Sequence, residues 1–395
     1  MSIVTIPREI QLLIFGQLRV VELVRVSETC HHLKDVARDP SLWKKLTLTY
    51  ERIKNKNEAC RNHVSRCSSL LEIVISISGE EKSIRSDKIM SVVMKAKNSL
   101  TSINLSPSFA GLSNSSFEKF GEMSHLTHLA VGGGKLGPGG ISALACLTKL
   151  KTLKVPGIVC GRFGAQSNDI PMASLVDLFS KLKKLEQVEI QMKDNFPSDE
   201  VVKSLVNNNP NLHHLDITQL KVQYCCPNNS FRDMDVISSR SLILIADKCP
   251  QLTHIGIGNL GCFSDTSITK LVTKCPKLKH ANFKETEFSD SALAMMSRNC
   301  PDLEYLNIIG CELVTEEALM RFANPETSAN LKRLCVTEYY YSYPQLLDKL
   351  KEKLPNVNVI REDEDSSDLD YPYPYLDYLY PSDDEDVDQG ICSLM

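Results

Sequence analysis

The sequence predicts an α/β solenoid, a curved stack of strand-and-helix units with a parallel sheet on its concave face. Three observations carry that expectation. A pattern of one apolar residue, two others, an apolar residue, one other and a further apolar residue occurs eleven times. It begins at Leu70, Leu100, Leu126, Leu150, Leu185, Leu212, Leu252, Leu278, Leu303, Leu331 and Leu354. An amphipathic stretch follows the strands, as in SITKLVTKC, ALAMMSRNC and EEALMRFA. Composition also changes at both ends of the array: a strongly apolar helical stretch precedes it, and an acidic segment follows.

Within each unit the last two apolar positions alternate, so they point to one face of a short strand. One unit cannot bury that face alone, whereas stacked neighbours bury a continuous core. Cysteine fits the same scheme. Cys249, Cys275 and Cys300 each precede a proline and lie three residues before their unit's first leucine, and Asn209-Pro210 occupies these slots before Leu212. A position that recurs once per unit and accepts Asn reads as a wall between units, since buried cysteine behaves as a small hydrophobe. There is no CxxC pair, and Cys225 and Cys226 are adjacent, which gives zinc ligation little support. The array resembles the cysteine-containing leucine-rich repeats, closely over residues 240–320 and loosely over 60–360.

Ahead of the array, IPREIQLLIFGQL places Pro7 at a helix start. Its apolar residues Ile10, Leu12, Leu13, Ile14, Phe15 and Leu18 sweep about 260° of the helix, far beyond a single core stripe. Such a helix needs cover on two sides. Downstream come Glu22-Leu23, Val26-Ser27, Cys30 and DPSLW at 39–43, with the only tryptophan at Trp43. Residues 6–43 resemble an F-box, with Ile6 in place of the usual leucine and Leu33 in place of the usual aromatic. The resemblance implies a three-helix module that docks a Skp-type adaptor, and through it a cullin. Carried over, Pro7, Ile10, Ile14, Phe15 and Leu18 would face that adaptor or support the docking face. Glu9 and Glu22 match acidic family positions. A helical cap on the open end of the stack is the alternative, and the two roles are compatible.

Side chains flanking the second apolar position of each unit should line the concave face. One column reads His128, Thr152, Gln187, His214, His254, His280, Tyr305 and Arg333; the next reads Ala130, Lys154, Glu189, Asp216, Gly256, Asn282, Asn307 and Cys335. With strands ~4.8 Å apart, His214, His254 and His280 should form a solvent-facing ladder. A flat ladder lacks the convergence a metal needs. His214, His254, His280, Tyr305, Asn307 and Arg333 are therefore the candidate substrate-binding residues, because solenoids bind through this face. Longer intervals mark insertions at 156–171 and 221–235, both rich in turn formers. Gly161 and Gly164 follow no phosphate-binding pattern.

Residues 362–388 hold twelve acidic side chains and no Lys or Arg; setting them aside from the net charge of −4 leaves the rest of the chain at +8. This tail cannot fold around a core of its own and is expected to be disordered. Ser367 and Ser382 each have an acidic residue three positions on, as acidophilic kinases favour. The final Cys392-Ser393-Leu394-Met395 fits a prenylation box, which would give weak, reversible membrane attachment through Cys392.

The expected organisation is thus an F-box at 1–48, a solenoid of about eleven repeats at 49–360 and an acidic tail at 361–395. No apolar run approaches the ~18 residues of a membrane-spanning helix. No secretory signal is expected at the start, and the fourteen cysteines read as reduced thiols of the cytosol or nucleus. No basic cluster lies on one element, so nucleic acid is not an expected partner. No Ser, Cys or His stands in a catalytic motif, and no cofactor is implied. The resemblance implies a non-catalytic substrate receptor of a Skp-cullin-F-box ubiquitin ligase. The alternative is a leucine-rich-repeat scaffold or inhibitor that binds a protein partner without ubiquitin.

Overall fold

In this computed structural model, twelve parallel strands lie side by side in chain order: β1 (Lys45–Thr49), β2 (Glu72–Ser76), β3 (Ser102–Leu105), β4 (His128–Ala130), β5 (Thr152–Ile158), β6 (Gln187–Met192), β7 (His214–Asp216), β8 (His254–Gly256), β9 (His280–Asn282), β10 (Tyr305–Asn307), β11 (Arg333–Val336) and β12 (Asn358–Arg361). The structure describes residues 3–18, 20–55, 58, 61, 64–65, 69–76, 86–105, 112–132, 134, 136–158, 172–192, 198–218, 237–259, 263–324, 328–337 and 346–361. Most of both insertions, the acidic tail with Ser367 and Ser382, and Cys392 fall outside these residues, as do Gly161, Gly164, Cys225 and Cys226.

Helices fill the intervals between strands and pack successively on one another, so the sheet's other face is the inner face of a leucine-rich-repeat solenoid. The second apolar residue of each unit pairs with its counterpart: Leu215 with Ile255, Ile255 with Ala281, Ala281 with Leu306. The leading leucines Leu212, Leu252 and Leu278 are fully buried beneath them.

Two details depart from the eleven-unit expectation. A strand precedes the unit of Leu70: Leu46 and Leu48 of β1 point into the core, and Trp43 occupies the slot of a leading leucine. At the other end, Leu334 pairs with Val359 rather than Val357, so the last unit is displaced by two residues from the pattern begun at Leu354. A two-residue slip keeps every side chain on its face, so Val357 still packs on the core.

The wall positions are built as their chemistry demands. Cys249, Cys275 and Cys300 are buried free thiols. Cys275 Sγ lies 3.5 Å from the Cys249 carbonyl, and Cys300 Sγ lies 3.8 Å from that of Val272. Burial pushes each thiol up to about 12. Asn209, in the same slot, accepts from Leu185 N at 2.7 Å and donates to Leu182 O and Leu205 O, both at 2.9 Å. It thereby links two units with three hydrogen bonds where cysteine has a weak donor.

Further joints run along the helix starts. Asp199 accepts from Ser238 N at 2.7 Å and from the Ser238 and Ser241 hydroxyls. Asp265 accepts from Ser289 N at 2.8 Å and from the Ser289 and Ser291 hydroxyls. Asp290 accepts from Thr315 N and Oγ1, both at 2.7 Å. Ser238, Ser289 and Thr315 are themselves N-caps of the next helices, so each aspartate fixes its neighbour's capping residue. After the strands, Asn259, Glu285 and Gly310 occupy one turn slot with φ of 57°, 56° and 74°.

Candidate functional site

Two surfaces deserve a functional reading. The first lies on α1 (Arg8–Phe15), which packs with α2 (Val20–Ser27) and α3 (His31–Ala37) into the N-terminal module. Pro7 is the residue that caps α1, in an extended conformation, one position ahead of the first helical residue. Arg8 pairs with Asp39 at 2.9 Å and holds that carboxyl below its usual range, while Asp39 also accepts from Ser41 N. Trp43 Nε1 donates to Ala37 O at 2.7 Å and ties the module to the first strand. Phe15, Leu23, Val36, Ala37 and Trp43 belong to the same buried cluster as the solenoid interior. The module therefore closes the open end of the stack.

The faces of α1 are inverted relative to a simple amphipathic helix. Gln11 and Phe15, one turn apart, point inward. Gln11 donates to Ile3 O at 2.7 Å and contacts His32 Nε2. Ile10, Leu13 and Ile14, spaced three and four apart, point outward and are 44%, 67% and 39% exposed, with Val4 exposed as well. Among the residues expected to dock or support an adaptor, Ile10 and Ile14 lie on this face and Pro7 is exposed. Phe15 is 1% exposed and Leu18 half-buried, so both support from beneath. Leu13, the most exposed of all, was absent from the expected set; its spacing of three from Ile10 is the signal that finds it.

The second surface is the inner sheet face, where structure corrects expectation. His214, His254, His280 and Tyr305 do form a ladder. Their rings stack with centroids 4.8, 4.2 and 5.9 Å apart, tilted by 26°, 11° and 21°. It is not a solvated ladder. His214 is 7% exposed, and His254, His280 and Tyr305 are half-buried. Burial depresses the imidazoles, His214 to about 3 and His254 to about 4, with Lys154 and neighbouring histidines adding to the effect; His280 is lowered as well. The rings are thus neutral at physiological pH. No cluster of His, Cys, Asp or Glu among the described residues has metal-binding geometry.

Asn307 is also reassigned. It is 2% exposed; its Oδ1 accepts from Ile309 N at 3.0 Å and its Nδ2 donates to the Tyr305 hydroxyl at 3.3 Å. Asp216 and Asn282 make the equivalent bond to the backbone N–H two residues on. These side chains close the turn that ends each strand, which makes Asn307 a turn residue rather than a contact for a partner. Arg333 is half-buried and lies between Tyr305 and Asn358 in the register.

Toward β5 the same face holds charge. Glu189, 5% exposed, lies 3.5 Å from Lys154 Nζ and 4.0 Å from His214 Nε2. Burial and the neighbouring Asp216 push its carboxyl up to about 7. Burial also raises Asp216, against hydrogen bonds from Thr218 N at 2.9 Å and Gln191 Nε2 at 3.3 Å. Gly256 permits this arrangement: a Cβ there would meet the Asp216 Oδ1 at 2.4 Å. The repeat column set Lys154, Glu189 and Asp216 on neighbouring strands but gave no sign that Glu189 is buried.

An F-box-like family profile matches residues 3–49. Comparison with curated protein sequences finds no significant match. Among solved structures, a chain of the yeast Rad7–Elc1 complex aligns over 91% of this chain and 94% of its own length, with 15% identity and a TM-score of 0.50. The leucine-rich-repeat protein LegL7 of Legionella pneumophila aligns over 81% and 91%, with 12% identity and a TM-score of 0.33.

Proposed function

We propose that this chain, an F-box-like module continuous with a leucine-rich-repeat solenoid, is the substrate receptor of a Skp-cullin-F-box ubiquitin ligase. The observation that carries the reading is the outward face of α1. Three large aliphatic side chains are exposed on one helix stripe within the F-box-like segment, while the opposite stripe is satisfied by the module itself. Exposed apolar patches of this kind mark interaction sites. The fold neighbour from yeast is itself held in a complex with a second protein, Elc1, which is consistent with a receptor assembled on an adaptor.

In this role the chain supplies no nucleophile. It holds a target close to an enzyme carried by the assembly, and the gain is proximity. Adaptor contact falls to Ile10, Leu13 and Ile14, with Phe15 and Leu18 behind them, and target contact to the inner face. The place of action in this reading is the cytosol or nucleus, where thiols such as Cys249, Cys275 and Cys300 stay reduced. Co-purification tests the reading. The intact chain should bring down a Skp-type adaptor and a cullin, and Ile10→Asp with Leu13→Asp should bring down neither while its melting temperature is unchanged. Adaptor recovery equal to wild type would leave α1 as a cap and favour a scaffold without ubiquitin.

A further inference from the structure

The inner face between β5 and β8 sets two carboxylates beside a single cation. Glu189 and Asp216 place two carboxylates on adjacent strands, and Lys154 stands beside them with its ammonium 3.5 Å from Glu189. His214 Nε2 is buried, without a hydrogen-bond partner, 4.0 Å from Glu189 Oε2. A polar atom over nine-tenths buried and unpaired costs free energy unless something arrives to meet it.

His254 adds an acceptor in the tautomer that lets Thr253 keep both of its contacts. Thr253 Oγ1 donates its proton to His213 O at 3.0 Å, so the 2.8 Å contact between Thr253 Oγ1 and His254 Nδ1 has the ring N–H as donor. The neutral ring then keeps a lone pair on Nε2. Glu189 and His214 are buried, Asp216 and His254 half-buried, and the His254 ring stacks on that of His214 with centroids 4.8 Å apart.

We propose that this cluster receives an arginine side chain presented by the target protein, which deepens and rests on the receptor role above. The acceptors are spread over β6, β7 and β8, about two strand spacings of ~4.8 Å each. A compact ammonium concentrates its donors at one point, a place Lys154 already fills. A guanidinium offers five donors on a planar fork and can reach a carboxylate and an imidazole nitrogen together. Its charge would favour the ionised form of the two carboxylates, which burial disfavours. Glu189 faces Lys154 on β5 and Asp216 and His214 on β7, between Gln187 and Gln191 on its own strand. With its carboxyl pushed up to about 7, docking of a cation expels the Glu189 proton. Binding should therefore strengthen by up to ~10-fold between about pH 6 and pH 8.

The test uses the full chain labelled with ¹⁵N-histidine, titrated with N-acetyl-arginine methylamide, and in parallel with the lysine and glutamate analogues. The arginine probe should give saturable shifts at the His214 and His254 ring nitrogens, at least ~10-fold tighter than the lysine probe. Glu189→Gln should abolish them, and Lys154→Met should tighten binding by removing the competing cation. Equal response to lysine, a stronger response to glutamate, or no saturable shift at pH 8 would each overturn the proposal. Adaptor binding by α1 does not enter this titration. A chain that binds arginine but no adaptor sinks the ligase reading alone; one that binds adaptor with silent histidines sinks this proposal alone.

Discussion

The outer stripe of α1 and the inner face of the sheet invert the usual partition in opposite senses. On α1, aliphatic side chains stand in solvent while Gln11 is buried. On the sheet, Glu189, His214 and Asn307 are buried on a face that a simple solenoid leaves wet. Both departures oppose local pattern; Gln11 and Asn307 are met by hydrogen bonds within the chain, whereas the aliphatic stripe and His214 Nε2 are left unmatched. Exposed apolar area and an unpaired buried polar atom are each costs that an absent partner can offset. The difference lies in the partner's chemistry: a dry surface for the helix, a donor-rich group for the sheet.

The sharpest break would come on α1 itself. Phe15→Ala should destabilise the module by about 3–5 kcal/mol through a core cavity, whereas Leu13→Ala should stay within ~0.5 kcal/mol in the free chain. Denaturant melts of both variants check this, and equal costs would mean that the two stripes are misassigned. Next in size, two buried polar residues should respond in opposite ways. Asn209→Ala removes three hydrogen bonds and should cost about 2–4 kcal/mol. His214→Phe removes an unpaired nitrogen and should fall within ~1 kcal/mol of wild type, on the stabilising side.

A smaller effect should appear with acid. His214 and His254 are neutral when folded, titrating at about 3 and about 4, but charge near ~6.5 when unfolded. They favour unfolding as pH falls below ~6.5. Glu189 acts in the opposite sense, because its folded value of about 7 lies above the ~4.3 of an unfolded glutamate. His214 alone takes up about one proton on unfolding near pH 5, so His214→Phe should flatten the wild-type dependence of stability on pH by ~1.4 kcal/mol per unit of acidification. Urea midpoints between about pH 4.5 and 6.5 measure the slope. Equal slopes in wild type and His214→Phe would mean that this imidazole is solvated after all. The smallest readout is chemical: exposed Cys30 and Cys146 should alkylate at neutral pH, while Cys249, Cys275 and Cys300 stay unmodified until unfolding.

How much of this was legible in the residues varies by scale. The repeat was plain, because its spacing is a local signal that stacking preserves. The strand at Lys45–Thr49 was hidden because Trp43 stands where a leucine was sought. Register of the last unit was ambiguous because Val357 and Val359 satisfy the same face. On α1, the wide apolar sweep announced two covered sides but not which residue served which; that depends on Gln11 reaching Ile3 and His32. The inner face was misjudged most. Its column was correct, but burial there arises from cross-strand ring stacking and from side chains closing their own turns, which strand alternation does not record.

The aspartate joints have a consequence for how such a chain can grow. Asp265 grips Ser289, and Asp290, the next residue along, grips Thr315. The segment between the two joints begins and ends with the same fitting, so a copy inserted after it would meet its neighbours through bonds already present. Excision would likewise leave Asp265 facing Thr315 across an intact junction. The solenoid is in that respect a chain of interchangeable couplings. Its length can change by whole units without redesign of the seams, while the inner face, where each unit differs, keeps an individual record.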